Sequence, residues 1–331
     1  MRRGVPLGHA AIAEGGSLKM KYRSWLVVPG SSEKRLGLAM GTGADVVVVD
    51  LADTVPDAAR REARAMACEW LSVHRRNLLE HRRMGRWVRI NALDSGLSRD
   101  DLLAIMPGAP DGIILPGATG PDAVRQLASE IYELEQANGI AANSVQIMPV
   151  AGDSPRGLFG MGQYLDAPHQ RLFGLTWNAG SLGVAMGCRH LHGDEGRWSD
   201  AARLVRAQTV LTAHASRTVA VDAPYERFED ERGLADAARQ ARAEGFAGMF
   251  AIHPGQVATI NAAFTPSGEE LSRAREILAL FSANPDQASL PFQGCMIDRT
   301  HLAMARQLID AADESDAGSE GQRLSALLRP A

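Results

Sequence analysis

Short apolar runs alternate with amphipathic stretches along most of the chain. The runs are rich in β-branched residues, as in Val46–Val49, and most stop at a glycine, a proline or a polar residue. Between the runs, apolar residues recur three and four positions apart, so that Ala63, Met66 and Trp70 share one helical face. This alternation predicts a parallel sheet, because consecutive parallel strands need a crossover long enough for a helix.

Eight such runs occur before residue 255. We predict strands at 23–30, 46–50, 87–91, 112–116, 145–150, 172–177, 218–222 and 248–252. Eight strands alternating with helices over about 250 residues are typical of a (β/α)₈ TIM barrel. The competing architecture is an open doubly wound sheet, but no Gly-x-Gly-x-x-Gly turn follows the first strand and no Walker A loop occurs.

The barrel is expected to span residues 20–260 of an α/β chain. We interpret residues 1–19 as a flexible tail, or as an upstream extension of a protein that starts at Met20, rather than as a targeting peptide. Residues 261–331 are expected to form a C-terminal helical extension. Its apolar residues exceed what a barrel closed by residue 255 needs, which predicts that the extension covers a neighbouring subunit.

Composition narrows the class of protein. A net charge of −4 gives no electrostatic reason to expect nucleic acid or an anionic membrane surface as a partner. No apolar run approaches the roughly 18 to 20 residues needed to cross a bilayer. The 3 cysteines are far apart and form no Cys-x-x-Cys pair, which favours a reducing cytoplasm over a disulfide framework.

Polar groups at the ends of the predicted strands are the candidate site residues, because TIM barrels bind ligands at the carboxyl ends of their strands. The candidates are Pro29, Gly30, Asp50, Asp53, Arg89, Asn91, Pro116, Asp153, Arg156, Asn178, Ser181, Asp222 and His253. A single terminal aspartate such as Asp222 is more often a helix cap, and His253 before Pro254 is equally suited to bracing a turn. Arg89 is different, since a guanidinium between Val88 and Ile90 needs either an anionic ligand or a buried partner.

Several motifs resemble the citrate lyase beta-subunit branch of the HpcH/HpaI aldolase family. The matching segments, in family order, are Arg23-Ser-x-Leu-x-Val-Pro-Gly30, Asp50-Leu-x-Asp53-x-Val55, Arg89-Ile-Asn91, Leu115-Pro116, Pro155-Arg156-Gly157-Leu158, Ile252-His-Pro-x-Gln256, Asn261-x-x-Phe-Thr-Pro266 and Met296-Ile-Asp298. The resemblance covers residues 22–312.

The resemblance implies a carbon–carbon lyase that acts on a small hydroxy-dicarboxylate or its CoA thioester with the help of Mg²⁺. It implies Arg89 as the carboxylate anchor and Asp298 as an acid/base group that reaches in from the next subunit, commonly of a homotrimer. Arg23, Pro29, Gly30, Asp50, Asp53, Asn91 and Arg156 are the substrate-binding residues that the matched motifs imply.

The chain departs from the family pattern at the metal ligands. The family glutamate after the fifth strand corresponds to Asp153, and the second acidic ligand corresponds to Ser181. The acidic residue of the second strand is Ala52, and the usual lysine after Leu-Pro is Gly117. Because Mg²⁺ is commonly held by one or two carboxylates, we expect this degenerate site to bind the ion weakly or not at all.

Both the position of a metal site and the class of function therefore stay open. His190, His192, Asp194 and Glu195 offer a relocated site for a transition metal, although an exposed polar loop explains the same composition. The chain is then either a lyase of the family's reaction type or an inactive barrel that binds a ligand or serves as a partner subunit. A metal-independent enzyme acting on a related oxo acid lies between these two classes.

Overall fold

The computed structural model describes residues 22–76, 84–166, 169–188, 191 and 198–312. The predicted tail at residues 1–19, with the alternative start at Met20, lies outside the described residues. The proposed relocated metal site at His190, His192, Asp194 and Glu195 lies outside them as well. None of the described helices is long and apolar enough to cross a membrane.

Eight parallel strands close into a barrel in sequence order, which confirms the predicted fold. They are β1 Ser24–Pro29, β2 Val46–Asp50, β3 Gly85–Arg89, β4 Gly112–Leu115, β5 Gln146–Gly152, β6 Gly174–Trp177, β7 Val219–Asp222 and β8 Gly248–Ala251. Closure comes from the pairing of β8 with β1, in which Trp25 is in register with Phe250. The observed β3 begins two residues before the predicted strand and ends at Arg89 instead of Asn91.

The helices that follow the strands pack around the barrel. They are α1 Glu33–Ala39, α2 Arg60–Arg76, α3 Ser98–Ile105, α4 Pro121–Ala137, α5 Pro155–Gly160, α6 Ala179–Met186, α7 Asp200–Ala215, α8 Glu231–Ala243 and α9 Gln256–Ala263, whereas α10 Gly268–Ala283 belongs to the C-terminal extension. Their apolar faces and the outer faces of the strands form the larger core, which includes Leu71, Leu127 and Ile260. The pattern did not predict α5, α6 or α9, because these short segments lack a clear separation of apolar and polar faces.

A second core fills the barrel interior. Its buried members all come from strands: Trp25, Val46, Val48, Trp87, Ile114, Met148, Val150, Val221 and Phe250. The rings of Trp25 and Trp87 meet edge to face with centroids 5.0 Å apart. Because side chains alternate along a strand, Asp50 shares the inward face with Val48, and Arg89 shares it with Trp87. Both charged residues therefore point into the carboxyl mouth of the barrel.

The C-terminal extension has a small core of its own. After α10, the strands β9 Ser289–Phe292 and β10 Cys295–Asp298 form an antiparallel hairpin, and residues 299–312 are helical. Phe281, Leu290 and Ile297 bury one another here. These three residues therefore do not need a second subunit to cover them, which removes part of the argument for a neighbour. Met296 remains 62% exposed, and the covering role of the extension stays a prediction.

Candidate active site

The centre of the site is an ion pair between neighbouring strands. Asp50 and Arg89 end β2 and β3 and are register partners, so their side chains lie next to each other in the barrel mouth. Nε of Arg89 donates to Oδ1 of Asp50, and Nη2 donates to Oδ2, both at 2.7 Å. Nη1 forms an ion pair with Oδ2 of Asp53 at 3.1 Å. This bidentate geometry fixes the plane of the guanidinium.

Asp50 positions Arg89, and its predicted substrate-binding role stays a prediction. Its side chain is fully buried and also accepts from the backbone N–H groups of Ala52 and Thr54 and from the Thr54 hydroxyl. Burial opposes ionisation of Asp50, but the hydrogen bond and the charge of Arg89 outweigh it and lower the pKa of the carboxyl. The same contacts outweigh burial for Arg89 and raise the pKa of its guanidinium.

Arg89 keeps donors for a ligand. Its contacts with Asp50 and Asp53 engage three of its five N–H groups, and no other acceptor from the described part of the chain reaches it. Its side chain is 14% exposed, whereas that of Asp53 is 69% exposed. The arrangement is a preoriented cation at the barrel mouth with two N–H groups that no described residue engages.

Asp153 follows β5 and is buried at the same face. Its Oδ2 accepts from the backbone N–H of Gly117 at 2.6 Å, and Gly117 lies at φ 68°, a conformation that disfavours the family's lysine. Its Oδ1 is buried without a hydrogen-bond partner among the described residues, and so is the hydroxyl of Tyr164. Burial raises the pKa of Asp153, and the charge of Asp53 raises it further. Burial and the charge of Asp153 also raise the pKa of Tyr164.

The residues at the two expected ligand positions do not fit a magnesium ion. Ser181 lies in the first turn of α6, where its N–H donates to the side chain of the cap Asn178, and it offers only a neutral hydroxyl. Asp153 has one oxygen engaged by Gly117, and burial raises its pKa, which opposes the charged form that a metal needs. No group of three histidine, cysteine, aspartate or glutamate side chains suited to a metal occurs among the residues that the structure describes. One shortened carboxyl group and one hydroxyl give the ion fewer charged ligands than the two acidic residues of the family pattern.

Other predicted residues at the carboxyl face mainly form hydrogen bonds and contacts that hold the loops after the strands in place. The N–H of Gly30 donates to the carbonyl of Asp50 at 2.8 Å, and a side chain at Gly30 would approach that oxygen to 2.9 Å. Pro29, the last residue of β1, is half-buried beside it. Asn91 donates to the carbonyl of Leu51 and to the carboxylate of Asp101. These residues fix the loops that carry the ion pair.

Arg156 and Asp222 differ in their availability to a ligand. Arg156 is exposed in the first turn of α5 and forms no ion pair with a described residue, so it stays a candidate anion contact. Asp222 is buried and accepts from Arg206 and from the indole N–H of Trp177 at 2.7 Å. It therefore has a structural role.

Arg23 is not part of this site, which corrects its predicted substrate-binding role. It precedes β1 and therefore lies at the amino ends of the parallel strands, at the opposite end of the barrel from Arg89. Its Nε and Nη2 donate to Asp45 at 2.8 and 3.0 Å, and its Nη1 donates to the Thr265 hydroxyl at 2.7 Å. Arg23 thus ties the start of the barrel to the residues after α9.

Asp298 lies on the exposed hairpin of the extension. Its Oδ1 accepts from the N–H groups of Thr300 and His301 and is 2.8 Å from Nδ1 of His301. The hydrogen bond from the His301 ring and then the backbone N–H groups lower the pKa of Asp298. These partners all belong to the extension, and whether Asp298 reaches the site of another subunit stays a prediction.

Sequence reasoning missed Thr54 and Tyr164. Thr54 holds the carboxylate of Asp50, and Tyr164 is the buried hydroxyl whose pKa responds to Asp153. Thr54 gives a weak signal, because a hydroxyl four residues after an aspartate is suited to bond back to it. Tyr164 gives none, since it lies in a short 3₁₀ helix without a detectable period.

Comparisons with known proteins agree on one family. The family model described as HpcH/HpaI aldolase/citrate lyase matches residues 23–254. A (3S)-malyl-CoA thioesterase of Cereibacter sphaeroides is 29% identical over 88% of this chain and 95% of its own length. The mitochondrial citramalyl-CoA lyase of Rattus norvegicus is 28% identical over 88% of this chain and 86% of its own length.

A solved structure has the same fold. It is the protein CitE from Mycobacterium tuberculosis in complex with magnesium, acetoacetate and coenzyme A. The two chains superpose with a TM-score of 0.70 at 29% identity, over 88% of this chain and 98% of that one. The similarity covers almost the whole of the compared protein.

Proposed function

This chain belongs to the HpcH/HpaI aldolase/citrate lyase family, and from this premise we propose that it is a carbon–carbon lyase acting on a small hydroxy-dicarboxylate or its CoA thioester. The observation that carries the proposal is the Arg89 guanidinium, held in the barrel mouth by Asp50 with N–H groups left for a carboxylate. A relative named as a citramalyl-CoA lyase supports the reaction type.

Arg89 supplies binding and orientation. A substrate carboxylate that accepts from the two remaining N–H groups is fixed in plane and in distance, because the guanidinium itself cannot rotate without breaking its bonds to Asp50. The 2-oxo acid released by cleavage keeps this carboxylate. The same contact therefore serves substrate and product.

The proton chemistry falls to groups with suitable protonation states. Cleavage requires a base for the 3-hydroxyl proton and an acid for the enolate carbon of the released acyl group. The buried Asp153 holds its proton to a higher pH than an ordinary aspartate and has an oxygen that no described residue engages. We assign to Asp153 a proton-transfer role at the substrate oxygen. Asp298 of a neighbouring subunit, in a homo-oligomer expected to be a trimer, is assigned the role of the second acid/base group.

The experiment is an assay for carbon–carbon cleavage with malyl-CoA, citramalyl-CoA and citrate, each with Mg²⁺ and with EDTA. Released oxo acid is captured as its phenylhydrazone, and free thiol is measured in parallel to detect thioester hydrolysis, the activity named for the Cereibacter relative. Oxo acid without free CoA supports a lyase. Free CoA without oxo acid would contradict it.

Arg89→Lys is expected to raise KM strongly, because an ammonium cannot bind Asp50 and a substrate carboxylate in the same plane. Arg86→Lys is the matched control. Arg86 lies at the other end of β3 and makes a comparable pair with Asp111, with Nη2 to Oδ1 at 2.8 Å. It should lower stability without changing KM.

One observation favours a second candidate. The replacement of the two carboxylate ligand positions by Asp153 and Ser181 suits a barrel that binds an oxo acid but no longer cleaves its parent compound. In that case pyruvate or oxaloacetate binds to the wild type in calorimetry and binds more weakly to Arg89→Lys. No oxo acid is released from any of the three substrates.

A further inference from the structure

Helix α7 has apolar side chains on two sides. Its inner face, which includes the buried Val205, Val210 and Ala213, packs against β6 and β7. Its outer side carries Leu204 and Leu211, which are 55% and 67% exposed. A helix on the outside of a barrel needs only one apolar face to stay in place. The inner face therefore does not account for the two outer leucines.

The two leucines belong to a regularly spaced outer stripe. The outer stripe consists of Asp200, Leu204, Ala207, Leu211 and His214, which follow one another at intervals of four, three, four and three residues, and all of them are exposed. This spacing keeps side chains on one seam of a helix, as in packed helix pairs. A single exposed leucine is ordinary, whereas two leucines on one seam with an alanine between them form a continuous apolar surface.

We propose that the outer stripe of α7 packs against the outer stripe of a second copy of this chain, with the two helices antiparallel. The proposal does not depend on the proposed lyase function. A twofold contact is reciprocal, because each residue must meet the same counterpart in both copies. With the axis at Ala207, Leu204 of each copy faces Leu211 of the other, and Ala207 faces its own counterpart. The stripe is therefore complementary to itself.

The alanine at the centre of the stripe permits a close approach of the two helices. Axes of packed helices lie about 8–10 Å apart, and the side chains at the contact decide the distance within this range. At Ala207 both copies present only a methyl group, so the backbones can approach to the lower end of the range. Leu204 and Leu211 then lie on either side of the two methyl groups and exclude water from them. Large and small side chains interlock in this way when they alternate across facing positions.

The two ends of the outer stripe favour the antiparallel orientation over the parallel one. Asp200 lies in the first turn of α7 with its side chain 99% exposed, and it pairs with Arg203 of the same helix at 3.2 Å. His214 lies in the last turn, where its Nε2 is 2.8 Å from the carbonyl of Gly245. An antiparallel pair brings Asp200 of each copy to His214 of the other, where a protonated ring donates from Nδ1. A parallel pair would instead place the two Asp200 carboxylates side by side.

This contact is separate from the one expected for the C-terminal extension. An antiparallel helix pair has twofold symmetry, whereas an extension that covers the next subunit of a trimer follows a threefold axis. The two contacts use different surfaces of the chain and are compatible in one assembly of two trimers. Whatever holds the other subunits together, loss of the twofold contact should therefore halve the mass of the assembly.

A cysteine at the twofold axis tests the register of the pair. Ala207→Cys, in a full-length chain whose exposed Cys295 is replaced by serine, should form a disulfide-linked dimer under mild oxidation, because the two Cβ atoms face each other across the axis. Ala215→Cys is the matched control, since it is exposed on the same helix. Position 215 is about 12 Å from the axis along the helix, so its two copies lie roughly 24 Å apart, too far for a disulfide. Equal cross-linking at both positions, or none at position 207, would overturn the proposal.

A charge in the outer stripe tests whether the contact holds the assembly together. Leu211→Glu should halve the mass in sedimentation equilibrium, because it places a carboxylate against Leu204 of the second copy. Leu38→Glu is the control and should keep the native mass, since Leu38 is 60% exposed on α1, away from the stripe. A native mass for Leu211→Glu together with a lower melting temperature would show that the stripe is covered within one chain, as by residues 313–331, and would refute the proposal. Neither measurement involves cleavage, so the outcome is independent of the proposed function.

Discussion

Restoring charge at the two degenerate ligand positions is expected to create a magnesium site. The change is Asp153→Glu combined with Ser181→Asp. The N–H of Gly117 donates a hydrogen bond to the Asp153 carboxylate at 2.6 Å. The additional methylene of a glutamate extends the side chain by about 1.5 Å, which allows its carboxylate to reach further into the barrel mouth. An aspartate at position 181 lies in the first turn of α6, where a negative charge is favoured by the helix dipole.

The size of the effect follows from linkage. A metal that binds only the folded state raises the free energy of unfolding by about 2.7 kcal/mol when its concentration is one hundred times Kd. With an unfolding entropy of roughly 2 cal/mol/K per residue, a chain of 331 residues should then melt on the order of 4 °C higher. This shift is large enough for scanning calorimetry.

The assay compares melting temperatures with Mg²⁺ and with NaCl at equal ionic strength. Ser181→Asp alone controls for the dipole effect, which does not need the metal, and Asp153→Glu alone controls for the loss of the Gly117 contact. The double variant should show the metal-dependent shift, and the wild type should show little. Equal shifts in the wild type and the double variant would refute the reasoning, because the wild type would then hold the ion through other ligands.

Four further outcomes are expected. Arg89→Lys should weaken oxo-acid binding in calorimetry about 10- to 100-fold, the loss expected when charge-assisted hydrogen bonds are removed, and unchanged affinity would exclude Arg89 as the anchor. Asp153→Asn should become increasingly stable relative to wild type as the pH rises above about 4, because a carboxyl with a raised pKa contributes stability below its unfolded pKa and loses it as pH rises through the folded pKa; a melting-temperature difference that is constant with pH would contradict this. Glu135→Gln should lower the free energy of unfolding in urea by about 3–5 kcal/mol, since it leaves the buried Arg171, now bonded to Glu135 at 2.6 and 2.7 Å, without its counter-charge. Removing the residues after Phe264 should lower the oligomeric mass in light scattering, and a truncated protein of native mass would show that the extension does not hold subunits together.

The fold was predictable because each barrel strand is a short apolar run that can be recognised from its own residues. Runs such as Val46–Val49 are continuous and end at charged residues, and each strand of the closed barrel corresponds to one of them. The boundaries of β3 were less certain, because Gly85 and Arg86 do not resemble strand residues in isolation. Arg86 fits there only because Asp111, 25 residues later, takes its guanidinium. That partner is not visible from the local pattern.

For the site, the sequence predicted only which end of the barrel carries it. Arg89 required a partner, and the pattern left open whether it pointed inward or outward; the parity with Trp87 and the bond to Asp50 decide that it points inward. A motif match does not distinguish a residue that contacts the ligand from one that holds neighbouring groups in place. Arg23 and Asp50 were both predicted to bind substrate, yet one lies at the opposite end of the barrel and the other is fully buried.

Both departures from the family pattern reduce the negative charge near Arg89. Arg89 already pairs with two aspartates, Asp50 and Asp53, so the three side chains together carry a net negative charge. An anionic ligand that binds Arg89 is repelled by this excess. A site with Mg²⁺ tolerates two more carboxylates, because the ion neutralises them. Without the ion, each additional carboxylate would repel the ligand. The hydroxyl of Ser181 carries no charge, and burial of Asp153 raises its pKa and so disfavours its charged form. We therefore expect Arg89 to bind an anion in this site without help from the metal.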